Sequence, residues 1–204
     1  MCGNPDPDVS PGSGCDSQSN MNLILDTETT GVTPTARIVS LSWALYDDAE
    51  VEVASAHHVI FPDGFTIPPE AAAVHGITTA DARRTGIPIG EALTGLAQDI
   101  TRHAPALFIG HNVAFDRPRV LREFSLLRMA ENLSRLPTYC TMQNTVQVCR
   151  IPRYNGGYKW PKLEELHVHL FGRGLTQAHD ARADVLACAR CFFELRRRGL
   201  VASR

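Results

Sequence analysis

The sequence predicts an α/β fold in which a mixed five-stranded sheet carries helices on both faces. Three strand-like apolar segments come first, near residues 23–25, 37–46 and 51–61, and polar turns separate them, as in an antiparallel meander. Helical periodicity and two further short apolar segments then alternate toward the C-terminus. Strands that begin as a meander and then alternate with helices indicate a mixed sheet rather than a fully parallel one.

The first twenty residues differ in composition from the rest of the chain. Residues 1–20 are mainly Pro, Gly, Ser and Asp without Lys or Arg, so we expect a disordered N-terminal tail and one folded domain over residues 21–204. Without the three aspartates of this tail, the formal charge of −2 becomes +1. A nearly neutral domain does not attract a polyanion by its net charge, so any affinity for nucleic acid must be local.

The composition also bears on the compartment. No apolar run approaches the length of a membrane span, and the tail lacks the charged start and apolar centre of a signal peptide, so we expect no membrane association. Cys188 and Cys191 have no second Cys pair at zinc-ribbon spacing, which favours buried reduced thiols among the six cysteines. Reduced thiols predict a cytoplasmic protein.

The first strand ends in two acidic residues. The apolar run Leu23-Ile24-Leu25 is followed by Asp26 and Glu28, and side chains at i and i+2 of a strand point to the same face. Two adjacent carboxylates repel each other unless a cation lies between them, and oxygen ligands favour Mg²⁺ or Mn²⁺. A solvated strand end is the alternative for this segment taken alone.

The later elements follow from periodicity and from helix end signals. We expect a short helix at residues 71–74 and a brief helix capped by Thr79 or Asp81. Longer helices are expected at residues 89–102, 113–129, 163–171 and 181–198, and short strands at residues 107–109 and near residue 139. Pro118 limits how early the second of these long helices begins, Gly172 ends the third, and Asp180 caps the fourth.

Two more acidic residues stand beside predicted helix starts. Asp116 follows a strand and its turn, and Asp184 lies early in the last helix, shortly after His179. Each of these residues has an alternative explanation without a functional site. Asp116 would interact with the positive end of a helix, Asp184 would pair with Arg182 or Arg190, and His179 would be an ordinary surface histidine.

Taken together, these segments resemble a known family. The order Asp-x-Glu, Asn-x-x-Phe-Asp and His-Asp-Ala-x-x-Asp over residues 22–200 is similar to that of the DEDDh 3′–5′ exonucleases, which have an RNase H-like fold and include RNase T and a polymerase proofreading subunit. The resemblance implies that Asp26, Glu28, Asp116 and Asp184 bind two divalent metal ions, Mg²⁺ or Mn²⁺. It also implies that His179 is the general base.

The resemblance further implies substrate contacts. Thr29 and Gly31 would lie against the 3′ sugar, His75 beside the terminal nucleotide, and Asn112 along the preceding strand. For His75, a buried histidine bonded to the backbone is the alternative. A separate loop, residues 150–162, mixes basic and aromatic residues, a combination that suits single-stranded nucleic acid as well as an ordinary surface.

The expected function is therefore metal-dependent removal of nucleoside monophosphates from single-stranded or frayed 3′ ends of DNA or RNA. An exoribonuclease that trims oligoribonucleotides and a catalytically silent module that binds nucleic-acid ends are the alternatives. Because the chain stops soon after the last helix, no polymerase-docking extension is evident, and we expect a stand-alone trimming enzyme.

Overall fold

The sheet has five strands, and the strand that carries the acidic pair is its centre. The computed structural model describes residues 20–175 and 180–201, so residues 1–19 of the predicted tail and His179 lie outside the described residues. The strands are β1 (Asn22–Thr29), β2 (Ile38–Tyr46), β3 (Glu52–Val59), β4 (Leu107–Gly110) and β5 (Thr138–Cys140). Their order in the sheet is β3-β2-β1-β4-β5.

The pairing directions confirm the predicted mixed sheet. Strands β1, β2 and β3 pair antiparallel, whereas β4 pairs parallel with β1, and β5 pairs parallel with β4. The carboxyl ends of β1, β4 and β5 therefore lie along the same edge of the sheet, where Asp26 and Glu28 also lie.

Helices occupy both faces of the sheet, as predicted. The helices are α1 (Pro69–His75), α2 (Thr79–Thr85), α3 (Ile89–His103), α4 (Val113–Leu126), α5 (Thr141–Asn144), α6 (Val146–Cys149), α7 (Leu163–Phe171) and α8 (Ala181–Arg197). Alternation along β1 separates the two layers: Leu23 and Leu25 belong to the core formed with α3 and α4, whereas Ile24 packs with α8. Asp26 and Glu28 share the face of Ile24.

Two predicted helix details are wrong. Helix α4 begins at Val113, so Pro118 lies inside the helix beyond its first turn. The helix accommodates Pro118 by omitting its hydrogen bond to the carbonyl of Ala114, because proline has no N–H. Helix α2 is capped by Thr78, whose side chain accepts from the backbone N–H of Asp81, while the Thr79 hydroxyl instead accepts from the backbone N–H of Ile67.

Two predicted helix ends and the predicted state of two cysteines are confirmed. Helix α7 ends at Gly172, which adopts a left-handed conformation (φ 72°) suited to glycine, and the Asp180 side chain caps α8. Cys188 and Cys191 are buried free thiols.

Among residues 20–175 and 180–201, no helix has the length and apolar character that a membrane crossing requires.

Candidate metal and nuclease site

Three carboxylates converge at the carboxyl end of β1. Asp26 and Glu28 project from the strand toward α8, and Asp184 lies in the first turn of that helix. Oxygen atoms of Asp26, Glu28 and Asp184 all lie within 4.8 Å of one another. The structure thus brings together three of the four predicted ligands, and their oxygen-only donor set suits a hard divalent cation.

The start of α8 is held by contacts of side chains that are close to Asp184 in the sequence. Asp180 Oδ1 accepts from the backbone N–H of Ala183 at 2.9 Å. Arg182 donates to Glu52 Oε1 of β3 at 2.7 Å, and the Arg190 guanidinium lies over the Phe171 ring. These contacts fix the first turn, and with it Asp184, against the sheet.

The fourth predicted ligand, Asp116, is buried in the first turn of α4. Its Oδ1 accepts from Thr27 twice, at 3.2 Å from the backbone N–H and at 2.7 Å from the hydroxyl. Thr27 faces away from Asp26 and Glu28 because it alternates with them along β1. Asp116 is near enough to repel Asp26, but it is not one of the three carboxylates whose oxygens lie within 4.8 Å of one another.

The acidic group is electrostatically strained. Burial raises the pKa of Asp26 well above its usual range, and repulsion from Asp116, Asp184 and Glu28 adds to this effect. Burial, followed by repulsion from Asp184 and Asp116, raises the pKa of Glu28 to about 8. Burial also raises the pKa of Asp116 to about 7, although the Thr27 hydrogen bonds oppose the shift. A bound divalent cation relieves such repulsion.

This strain predicts a pH-dependent stability of the metal-free protein. Glu28 and Asp116 bind protons more tightly when folded than when unfolded, so their contribution is complete below pH ~4 and is lost as the pH rises through about 7 to 8. We expect the Tm of chelated protein to fall by roughly 5 °C between pH 6 and pH 8.5. Calorimetry in the presence of a chelator measures this.

Two controls accompany that measurement. Adding Mn²⁺ at pH 8.5 should restore the Tm, because a ligand that binds only the folded state stabilises it. The Glu28→Gln variant should show a flatter Tm profile between pH 6 and 8.5. A Tm of the chelated wild type that rises over this range would contradict the assigned pKa shifts.

The substrate-binding roles of Thr29, Gly31, His75 and Asn112 remain predictions. The Thr29 hydroxyl donates to the carbonyl oxygen of Gly31 at 2.7 Å. Nδ1 of the buried His75 accepts from the backbone N–H of Ile77 at 3.1 Å. This contact is the one expected for the alternative role of His75, a buried histidine bonded to the backbone. Asn112 precedes α4 with a left-handed backbone (φ 84°) and is partly exposed.

Thr27 is a functional candidate that the sequence analysis missed. We expect Thr27→Val, which removes only the hydroxyl donor to Asp116, to raise the metal concentration for half-maximal activity about tenfold, as for other residues that orient metal ligands. Thr27→Ser keeps the donor and should behave as wild type. Equal metal dependence in Thr27→Val and wild type would exclude this role.

Comparisons with known proteins agree with this geometry. The family model RNase_T, described as "Exonuclease", matches residues 23–192. No curated protein sequence matches the chain. Among solved structures, E. coli exonuclease I in complex with a dA16 oligonucleotide is similar with a TM-score of 0.73 and 20% identity, over 88% of this chain and 41% of that chain.

Two further exonuclease I structures give the same result. The E. coli enzyme in complex with a dT13 oligonucleotide has a TM-score of 0.71 at 21% identity, over 86% of this chain and 40% of that chain. A product-bound exonuclease I has a TM-score of 0.71 at 18% identity, over 89% of this chain and 45% of that chain. The chain thus spans less than half the length of these structures, and at this identity the similarity shows the fold.

The family match covers most of the chain, including Asp26, Glu28, Asp116 and Asp184. The five-stranded mixed sheet is the fold that the similar structures share with this chain. The chain therefore belongs to the RNase T exonuclease family, as its resemblance to the DEDDh exonucleases of the RNase H-like superfamily predicts.

Proposed function

We propose that the protein is a metal-dependent 3′–5′ exonuclease that releases nucleoside monophosphates from single-stranded or frayed 3′ ends. The observation that carries this proposal is the convergence of Asp26, Glu28 and Asp184 within 4.8 Å in a chain of the exonuclease family. A binding module has no evident need for three carboxylates whose repulsion destabilises the folded state.

The acidic residues fit the metal ions that such a reaction uses. Asp26, Glu28 and Asp184 would hold one part of the site, and Asp116, oriented by Thr27, would complete a site for two divalent ions, Mg²⁺ or Mn²⁺. When bound, these ions supply Lewis-acid stabilisation of the phosphate oxygens and favour ionisation of the attacking water. The raised pKa values of Glu28 and Asp116 support this role, because a cation would replace their protons.

The remaining roles are assigned to residues around the acidic group. His179 would take the proton from the attacking water, since a histidine with an ordinary pKa of ~6.5 can do so near neutral pH. Thr29, Gly31 and His75 would hold the terminal nucleotide, and Asn112 would orient the strand that precedes it. Thr29 ends β1 and Gly31 lies in the loop after it, His75 ends α1, and Asn112 precedes α4, whereas His179 lies outside the described residues.

Single-stranded DNA is the proposed substrate. The exonuclease I structures similar to this chain are described as complexes with dA16 and dT13 oligonucleotides, which supports a single strand rather than a duplex. We also propose a cytoplasmic location, because the cysteines of the described residues, Cys140, Cys149, Cys188 and Cys191, are all free thiols.

One assay tests the proposal. Oligodeoxynucleotides labelled at the 3′ or the 5′ end are incubated with the protein and Mg²⁺ or Mn²⁺, with a chelator in parallel. Early release of the 3′ label, only with metal, is the expected result. Binding without release would instead indicate a silent module, and faster release from an oligoribonucleotide of the same sequence would move the substrate to RNA.

A further inference from the structure

A pocket of roughly 470 Å³ lies between the loop after β1 and the start of α4. It is lined by Val32 and Pro34 of that loop, by Asn112 and Phe115 at the start of α4, and by Gln143 and Trp160. Two of its lining residues are sequence neighbours of proposed site residues, because Val32 follows Gly31 and Phe115 precedes Asp116. We call it the Trp160 pocket.

Arg119 links two parts of the lining of the Trp160 pocket, the loop after β1 and the start of α4. The guanidinium donates to the carbonyl oxygens of Val32 at 2.7 Å and Thr33 at 2.9 Å, and to that of Phe115 at 2.6 Å. It also lies 3.4 Å from the centre of the Phe115 ring. The buried Arg119 thus links the loop after β1 to the first turns of α4, so the pocket is formed before a ligand binds.

The loop that carries Trp160 is anchored on both sides of this residue. His111 Nε2 donates to the carbonyl oxygen of Pro161 at 3.0 Å, and its Nδ1 lies 2.9 Å from Thr141 Oγ1. Burial lowers the pKa of His111 to about 4, so this anchor is neutral at physiological pH. On the other side, Lys159 forms an ion pair with Glu165 of α7.

Trp160 is held in this loop without being buried. Its side chain is 55% exposed, although a large aromatic residue gains most from full burial. An exposed indole between two anchored neighbours is a rigid stacking surface, and stacking on such surfaces is how proteins bind the bases of single strands. Asn112 and the exposed Gln143 offer amide groups that can hydrogen-bond to base edges.

The position of the pocket indicates which nucleotides of a single-stranded substrate it would bind. His75 ends α1, which packs on Val39 of β2, whereas the pocket residues Asn112 and Phe115 come directly after β4. Strands β2 and β4 flank β1 on opposite sides. A single-stranded oligonucleotide whose terminal nucleotide lies near His75 and whose scissile phosphate lies at the acidic group therefore continues toward the Trp160 pocket.

We infer that the Trp160 pocket binds one nucleobase of the substrate strand on the 5′ side of the scissile phosphate, stacked on Trp160 and contacted by Gln143. This inference rests on the proposed function. Arg153 and Lys162 of the same exposed loop supply positive charge for the adjoining phosphates. An unpaired base is required, because a base within a duplex cannot offer its face to an indole.

Oligodeoxynucleotides with one abasic residue, moved stepwise from the 3′ end, test the inference. In wild type, an abasic residue at a single position near the 3′ end should raise KM about tenfold, the effect expected from losing one base–aromatic stack. Trp160→Ala should raise KM about tenfold for the intact oligonucleotide. In this variant, an abasic residue at that position should cause no further rise in KM. Tyr154→Ala, which removes a fully exposed aromatic of the same loop outside the pocket, should keep the positional penalty.

Fluorescence gives a readout that does not depend on turnover. The chain has two tryptophans, and Trp43 is buried in the core, so an oligothymidylate probe should quench mainly Trp160 emission in an Asp26→Asn protein. The same protein with Trp160→Phe should show little quenching. If wild type releases 3′ nucleotides but Trp160→Ala keeps the positional penalty, or quenching is absent at saturating probe, the pocket inference is wrong while the proposed function stands. If wild type releases no 3′ nucleotides, the proposed function fails first.

Discussion

Asp26→Asn is expected to lower kcat about a thousandfold or more and to leave the metal-free protein folded and more heat-stable. Burial, followed by repulsion from Asp116, Asp184 and Glu28, raises the pKa of Asp26 well above its usual range, so its charge costs stability in the metal-free protein. The amide removes a charge that a bound cation needs, and Lewis-acid stabilisation by such cations contributes several kcal/mol to phosphoryl transfer. Steady-state kinetics with a 3′-labelled oligonucleotide and calorimetry in chelator measure the two effects.

The control for Asp26→Asn is Asp63→Asn, the same chemical change on an exposed turn away from the acidic group. It should alter neither kcat nor the Tm. Mn²⁺ should raise the Tm of wild type and of Asp63→Asn, but much less that of Asp26→Asn. Turnover at the wild-type rate in Asp26→Asn would place the catalytic centre elsewhere, and a marked fall in its metal-free Tm would show that Asp26 is structural.

The sequence was sufficient for the parts of the site that depend on local periodicity. Alternation along a strand places Asp26 and Glu28 on one face, and Asp180 and Gly172 mark helix ends through their own backbone preferences. These signals act within a few residues, so they can be recognised without knowledge of the fold. They predicted the end of α7 and the beginning of α8 correctly.

The parts that the sequence could not show depend on contacts between distant residues. Thr27 and Asp116 are separated by 89 positions, and Arg119 and Val32 by 87, so no local pattern signals either contact. The same holds for the central position of β1, which requires a parallel pairing with β4 across three intervening helices. The prediction from Pro118 was wrong because the preference of proline for the first turn of a helix is a tendency that tertiary packing can override.

His179→Ala is expected to lower kcat about 10²- to 10⁴-fold without changing the metal concentration for half-maximal activity. The resemblance to the DEDDh family implies that His179 is the general base. Asp180, the described residue that follows His179 in the sequence, is close enough to the acidic group to raise the pKa values of Asp26 and Glu28. Loss of a general base slows proton transfer but leaves the metal ligands in place, so the rate should fall at an unchanged metal dependence.

A general base and a structural residue differ in their pH dependence. If His179 accepts the proton, kcat/KM of wild type should rise with pH through an ionisation near ~6.5, and this ionisation should disappear in His179→Ala. Added imidazole should restore part of the lost rate, because the small molecule can take the same proton. His169→Ala, a change of an exposed histidine on α7, should leave the rate and the profile unchanged. An unaltered pH profile in His179→Ala would assign the proton to another acceptor, and the acidic group alone would then have to account for catalysis.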